Sequence, residues 1–283
     1  MSTWVWTDGT VYPAAEATIS ATDRGLLLGD GVYETCKVVD GTPFALTRHL
    51  ARLRRSADII AITMPWPDSV IRAAIGKVAE AAMVDPANAG SVGRVRVTVT
   101  GGSGPLGPNR GGREPTLLVA AGPSRAWSPT ADVVMVNWRL NEHSPTVGAK
   151  TISYLDHVMA LAEAHRRGAD EALLANTAGA LAEGTGSNIF LVVDGVLCTP
   201  SLSTGCLPGV TRELVCEGVA VAERNDLTFD HLRSAPEAFL TSSTRDVHPI
   251  ARVDGAVLGA SPGPLTQAAA QAFRVLASRT IDP

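Results

Sequence analysis

Apolar residues recur along this chain in two rhythms. Val95, Val97 and Val99 alternate with Arg94, Arg96 and Thr98, the period-2 mark of a half-buried strand. Val5-Trp6, Thr10 to Tyr12, Val32 to Val39 and Thr116 to Ala121 also read as strands, with turn signals at Asp8-Gly9 and Asp40-Gly41. Leu50, Leu53, Ala57 and Ile60 recur at helical spacing, which predicts a helix over Arg48 to Ile60 capped by Thr47. A second helix is expected after Asp68 or Ser69, burying Val70, Ile71, Ala74, Ile75, Val78 and Ala82. Gly101 to Gly112 is rich in glycine and proline without periodicity, and reads as a long loop of the kind that is often functional or disordered.

Gly122 to Thr130, with Pro123 and Pro129, reads as a linker. Beyond it, strands are expected at Asp132 to Trp138, Glu171 to Ala175, Asn188 to Val193 and Glu237 to Thr241. Ile152, Leu155, Met159 and Ala162 mark one face of a helix that stops near Gly168. Further helices are expected at Thr211 to Ala222 and Pro264 to about Ser278. Strand and helix runs do not follow a strict βαβ rhythm, so the fold class expected is α+β, in two domains: residues 1–121 and 131–283, with a linker at 122–130.

The net charge of −4, with no basic stripe, excludes nucleic acid as an expected partner. No run of 18 apolar residues suits a membrane span, and the N-terminus lacks a basic-then-apolar layout, so a cytoplasmic location is expected. Cys36, Cys198, Cys206 and Cys216 form no CxxC pair and read as reduced thiols; no metal site is expected. Of 24 basic side chains only three are lysine, namely Lys37, Lys77 and Lys150. A guanidinium can replace an ammonium where charge alone matters, but it cannot form an imine. A chemical lysine would therefore be one of those that remain.

Lys150 follows the small residues Gly148 and Ala149 and lies between a strand and a helix, a better place for a reactive amine than a helix surface. Glu183 opens a glycine-containing turn before the apolar strand at Asn188. A carboxylate so placed can keep a pyridine nitrogen protonated. Gly205 to Thr211 leads directly into a helix whose first amides, together with the Thr211 hydroxyl, suit an anion. Arg52 adds a candidate forked charge, and Thr241 to Thr244 adds four hydroxyls. None of these signals is specific alone.

Their order and spacing strongly resemble the class IV aminotransferases, the fold type IV pyridoxal-phosphate enzymes. The likeness covers nearly the whole chain, from Asp23-Arg24-Gly25 and Gly29-Asp30-Gly31-Val32-Tyr33-Glu34 to Phe239 through Thr244. It implies pyridoxal 5'-phosphate as cofactor and a small N-terminal and a larger C-terminal α+β domain, as in the D-amino-acid aminotransferases. It also implies Lys150 as the Schiff-base lysine, Glu183 at the ring nitrogen, and Arg52, Gly209, Val210, Thr211, Ser243 and Thr244 around the phosphate. Tyr33 looks like the family's tyrosine near the substrate. Family members are typically homodimers acting on small amines and keto acids.

Gly31 to Val38 looks most like the D-amino-acid aminotransferases. Those enzymes clamp the substrate carboxylate with an arginine and a histidine just after the equivalent of Val99-Thr100. Here Gly101-Gly102-Ser103 stands instead, and Arg110 is the candidate substitute. The expected activity is transfer of an amino group from a D-amino acid or (R)-amine to a 2-keto acid. The alternatives are an aminodeoxychorismate lyase releasing 4-aminobenzoate and pyruvate, a branched-chain aminotransferase, and a non-catalytic pyridoxal-phosphate or phosphate binder.

Overall fold

The computed structural model describes residues 2–88, 93–112, 114–124 and 126–283. They divide into two compact units. The first takes in the described residues of Met1–Arg125 together with Ala149–Tyr154 and Asp282; the second takes in Ala126–Gly148, Leu155–Ile281 and Pro283.

In the first unit the elements are β1 (Trp4–Thr7), β2 (Thr10–Pro13), α1 (Arg24–Leu28), β3 (Gly31–Val39), β4 (Thr42–Pro43), α2 (Leu46–Ile59), α3 (Asp68–Val84), β5 (Arg94–Thr100) and β6 (Thr116–Gly122). Among the described residues the strands form an antiparallel sheet in the order β2-β1-β6-β5-β3-β4. The alternation in β5 works as expected: Val95, Val97 and Val99 share one core with Leu50 and Leu53 of α2 and Ile71, Ile75 and Val78 of α3. Each such side chain contributes roughly 1.5–3 kcal/mol by leaving water. The opposite face of β5 carries Arg94, Arg96 and Thr98.

Two local expectations are corrected here. Thr47 does not cap α2. It lies inside the first turn, where its amide and hydroxyl donate to the Asp282 carboxylate at 2.8 and 2.6 Å. An acid from the far end of the chain thus serves the positive end of the helix. Ile152 is not part of the following helix, because its amide donates to the Gly31 carbonyl at 2.9 Å and holds it in an extended segment.

The loop Gly101 to Gly112 is pinned. The buried Arg24 donates to Asp30 and to the carbonyls of Gly107, Pro108 and Asn109. Arg110 donates twice to Asp30 and once to the Ala61 carbonyl. Burial pushes the Asp30 carboxyl up, but the two guanidinium groups outweigh it and hold it below its ordinary range.

The second unit contains β7 (Ala131–Leu140), α4 (Leu155–Arg166), β8 (Glu171–Asn176), β9 (Leu181–Gly184), β10 (Asn188–Val193), β11 (Val196–Pro200), α5 (Val210–Gly218), β12 (Ala222–Arg224), α6 (Phe229–Ser234), β13 (Ala238–Ser242), β14 (Asp246–Val253), β15 (Ala256–Val257) and α7 (Pro264–Arg279). Its sheet runs β12-β11-β10-β13-β14-β7-β8-β9, with β15 paired to β14. The β14–β7, β7–β8 and β11–β12 pairs are parallel and the rest antiparallel, so the sheet is mixed. Helix α5 ends at Gly218 rather than Ala222, because Val219 is extended and Ala222 already pairs with Cys198. In α4 the apolar stripe faces outward: Leu155 is 70% exposed, Val158 and Met159 are also exposed, and Ala160 and Ala164 face the core.

Candidate active site

Lys150 sits on an extended strip, residues 150–152, that attaches to the start of β3. Its carbonyl accepts the Tyr33 amide at 2.9 Å, and Val32 and Thr151 form an isolated antiparallel bridge. The Lys150 amide donates to the buried Ser56 hydroxyl of α2 at 3.0 Å. The main chain is therefore held from both sides, which leaves the side chain to reach the reaction. Lys150 Nζ lies 4.5 Å from the Tyr33 ring centre and 5.7 Å from that of Tyr154, and the two rings meet edge to face. It has no carboxylate partner among the described residues.

Sequence reasoning missed Arg96. Alternation in β5 assigned it to the solvent side, and it is indeed exposed. That side is also the one onto which Tyr33 projects, and the Arg96 guanidinium carbon lies 3.6 Å from the Tyr33 ring centre. Burial alone pushes the Tyr33 phenol up, but the Lys150 and Arg96 cations outweigh it and hold the phenol below its ordinary range. Arg96 also has no carboxylate partner among the described residues. The signal available in the sequence was the placement of a large cation, rather than threonine or serine, in the middle of a valine-rich strand.

The other candidates in this unit are occupied. Arg110 spends its guanidinium on Asp30 and Ala61. Arg52 is buried rather than on a solvated helix face, and it grips Glu34 through Nε at 2.7 Å and Nη2 at 2.8 Å. His49 Nδ1 lies 2.7 Å from the same carboxylate.

In the second unit, Glu183, the α5 terminus and the β13–β14 turn come together at one end of the sheet. Glu183 is buried, accepts the Leu207 amide at 2.8 Å and lies 3.7 Å from His157 Nε2 of α4. His157 was not singled out from the sequence, where it reads as one polar residue on a helix. The Leu207 carbonyl accepts from the Asn188 side-chain amide at 2.8 Å, so one residue links Glu183 to β10. Gly209, Val210 and Thr211 open α5, whose first turn has no side-chain cap. A Cβ on Gly209 would collide with Asn188 Oδ1. Asn188 faces Thr241 across the β10–β13 ladder, and the Thr241 hydroxyl is buried without a partner. Ser243 and Thr244 lie in the turn that follows.

Taken unit by unit, these donors suit parts of pyridoxal phosphate. An amine with no acid beside it suits an aldehyde. A buried carboxylate with no lysine or arginine partner among the described residues suits a protonated ring nitrogen, and a helix start without a side-chain cap beside hydroxyls suits a phosphate. Gly209→Ala is expected to push Asn188 aside and weaken cofactor binding about tenfold, the order of one lost charge-assisted hydrogen bond. A binding titration on the apoprotein would check this. Among the described residues no cluster of His, Cys, Asp or Glu is arranged to hold a metal ion, and no helix is long and apolar enough to cross a membrane.

The chain matches the model of the family described as amino-transferase class IV over residues 31–253. It is 33% identical over 264 residues to a putative branched-chain-amino-acid aminotransferase of Methanocaldococcus jannaschii, covering 90% of this chain and 89% of that protein. It is 29% identical over 267 residues to a D-alanine aminotransferase of Bacillus licheniformis, covering 92% of each. Among solved structures it resembles the branched-chain amino acid aminotransferase of Escherichia coli, with a TM-score of 0.84 at 27% identity over 98% of this chain and 95% of that one. It also resembles the T.th. branched-chain amino acid aminotransferase complexed with N-(5'-phosphopyridoxyl)-L-glutamate, with a TM-score of 0.85 at 27% identity, covering 100% of this chain and 96% of that one.

Proposed function

Because the chain belongs to the class IV aminotransferases, enzymes that work with pyridoxal 5'-phosphate, we propose that it moves the amino group of an aliphatic amino acid to a 2-keto acid, with Lys150 as the reactive amine and Arg96 as the handle for the substrate carboxylate. The observation that carries this reading is the arrangement around Tyr33 of β3: the Lys150 amine and the Arg96 guanidinium of β5 each lie against its ring, and neither has a carboxylate partner among the described residues.

When bound, pyridoxal phosphate supplies an aldehyde for the amino group and a ring that withdraws electrons from the substrate carbon. Lys150 Nζ would hold that aldehyde and, once displaced by the incoming substrate amine, would as a free amine carry the proton that leaves the substrate α-carbon. Tyr33, whose ring centre stands 4.5 Å from Lys150 Nζ, orients the amine. Glu183 holds a proton at the ring nitrogen. In the second unit Gly209, Val210, Thr211, Ser243 and Thr244 would bind the phosphate; Arg52, which the family resemblance also assigns to the phosphate, has its guanidinium steadied by Glu34.

A carboxylate-bearing donor is favoured over a simple (R)-amine. The arginine and histidine of the D-amino-acid enzymes are absent here, and Gly101 and Gly102 stand where a side chain would clash. A Cβ on Gly101 would lie 2.7 Å from the Asp30 carboxylate, and one on Gly102, where φ is +73°, would collide with the Glu114 carbonyl. With Arg110 tied to Asp30, Arg96, the guanidinium on the Tyr33 ring, is the one that can take the carboxylate. Branched-chain donors fit this reading and match the names of relatives. A D-amino acid is the second reading, favoured by the Gly31 to Val38 segment and by the D-alanine aminotransferases among the relatives. The relatives reported above are aminotransferases by name, so the lyase alternative gains no support.

A spectral titration of the holoenzyme with L-valine, L-leucine, D-alanine and (R)-1-phenylethylamine tests the reading. Conversion of the bound cofactor to its aminated form by a branched-chain amino acid supports it. Conversion by the amine alone overturns it. Arg96→Leu is expected to raise KM for the amino acid by about 10–100-fold, the equivalent of a lost charge-assisted bond of roughly 1.5–3 kcal/mol. Any residual turnover of the amine should not move.

A further inference from the structure

A second buried carboxylate, Glu171, lies behind the Glu183 turn and has no part in the chemistry above. It is the first residue of β8 and is fully buried. Its oxygens accept from the Thr185 amide at 3.0 Å, from the Thr185 hydroxyl, from the Ser187 hydroxyl at 3.2 Å and from the Ala172 amide at 3.3 Å. Thr185, Gly186 and Ser187 are the whole connection between β9, which carries Glu183, and β10. Glu171 therefore shapes the turn that fixes where Glu183 emerges.

One cation answers Glu171. Arg245 Nη2 lies 2.8 Å from it, and the arginine side chain is only 6% exposed. Arg245 closes the turn that carries Ser243 and Thr244, and its amide donates to the Ser242 carbonyl at 3.2 Å. Its guanidinium carbon stands 4.0 Å from the Trp127 ring centre, and Nη1 is buried without a hydrogen-bond partner. The Asn188–Thr241 pairing sets both turns at the same end of neighbouring strands.

We propose that Glu171 and Arg245 are a positioning pair: they brace the turn after Glu183 against the turn of Ser243 and Thr244, and so set the spacing between the acid for the ring nitrogen and the hydroxyls for the phosphate. This rests on the site reading given above. The pair acts through the two turns. It fixes the geometry because a buried arginine with a single carboxylate partner cannot relax away without leaving both charges unpaired. Trp127 stacks on the guanidinium and closes off water, so the ion pair is the arginine's only ionic anchor among the described residues.

The test measures binding of pyridoxal phosphate and of phosphate-free pyridoxal to the apoprotein, below its melting temperature. The ratio of the two dissociation constants reports what the phosphate adds once the ring is seated. A bracing role predicts that this ratio shrinks roughly tenfold in Arg245→Leu and Glu171→Gln, the order of one lost charge-assisted hydrogen bond. Arg245→Lys, which keeps the charge, should recover part of it. A lesion that only loosens the fold would lower Tm and leave the ratio unchanged, and that result overturns the proposal. Should Arg245→Leu fail to fold, Ser187→Ala decides in its place, since it removes one of the turn's three hydrogen bonds to Glu171 and leaves the ion pair intact; a smaller shrinkage in the same direction is expected, and an unchanged ratio overturns the proposal. Ser243→Ala and Glu183→Gln are the controls. If they weaken cofactor binding while the Arg245 and Ser187 variants do not, the brace is wrong and the site reading stands. If none of them alters binding, the site reading itself fails.

Discussion

Lys150→Ala is expected to lower turnover by about 10⁴-fold or more, because one nitrogen serves as both nucleophile and proton carrier. Neither neighbouring ring can replace it. The Tyr33 phenol lies against the amine and the Arg96 cation, but an oxygen cannot form the imine that the lysine forms. Lys150→Arg should be as inactive as Lys150→Ala, since a guanidinium does not lose its proton under working conditions. Folding should survive, because position 150 is held by its main chain, through Tyr33 and Ser56, and its side chain is not packed in a core. Single-turnover transfer from a donor amino acid, followed by absorbance of the bound cofactor, measures the effect. A small primary amine added to Lys150→Ala should restore part of the rate. Full turnover by the alanine variant without such rescue would remove Lys150 from the mechanism.

The second large effect is on stability, and it falls on Glu34. This carboxylate is 1% exposed and accepts from Arg52 twice and from His49 once. Burial pushes its pKa up, but the Arg52 charge and hydrogen bonds, with help from His49, outweigh that and lower it from 4.5 to about 2. A folded-state value below the unfolded one contributes stability that is complete above about pH 4.5. It is lost as the pH falls through the range from 4.5 to about 2. At about 1.36 kcal/mol per pKa unit, the contribution is about 3 kcal/mol. Urea unfolding at a series of pH values should show that loss. Glu34→Gln should be destabilised by about 3–5 kcal/mol at neutral pH, because it strands the buried Arg52 guanidinium. Its stability should also fall less steeply below pH 4.5. An unchanged acid limb in that variant would show that Glu34 is not the group responsible. Glu34 follows Tyr33 directly, and Ser56 lies one turn along α2 from Arg52, so the same lesion should loosen the seat of Lys150.

Much of this was legible from residue order. Strand β5 and helices α2 and α3 follow from side-chain periods of 2 and 3.6, which depend only on backbone geometry and on which residues avoid water. The scarcity of lysine singled out three candidates, and the spacing from Lys150 through Glu183 to Gly209, Thr211 and Thr244 matched one family. Local capping was less legible. Thr47 had the right chemistry for a cap, yet Asp282 took the role, because a partner 235 positions away does not register in a local pattern.

What the order of residues determined, then, is the set of elements and the chemical types available for catalysis, since both depend on near neighbours along the chain. Folding alone decided the partners. It set Lys150 against Tyr33, turned Arg96 from an unremarkable strand charge into a neighbour of that phenol, tied Arg110 to Asp30, and exposed the apolar stripe of α4. Side-chain reach and charge act through space, and contacts between residues tens or hundreds of positions apart exist only once the strands have paired and the helices have packed.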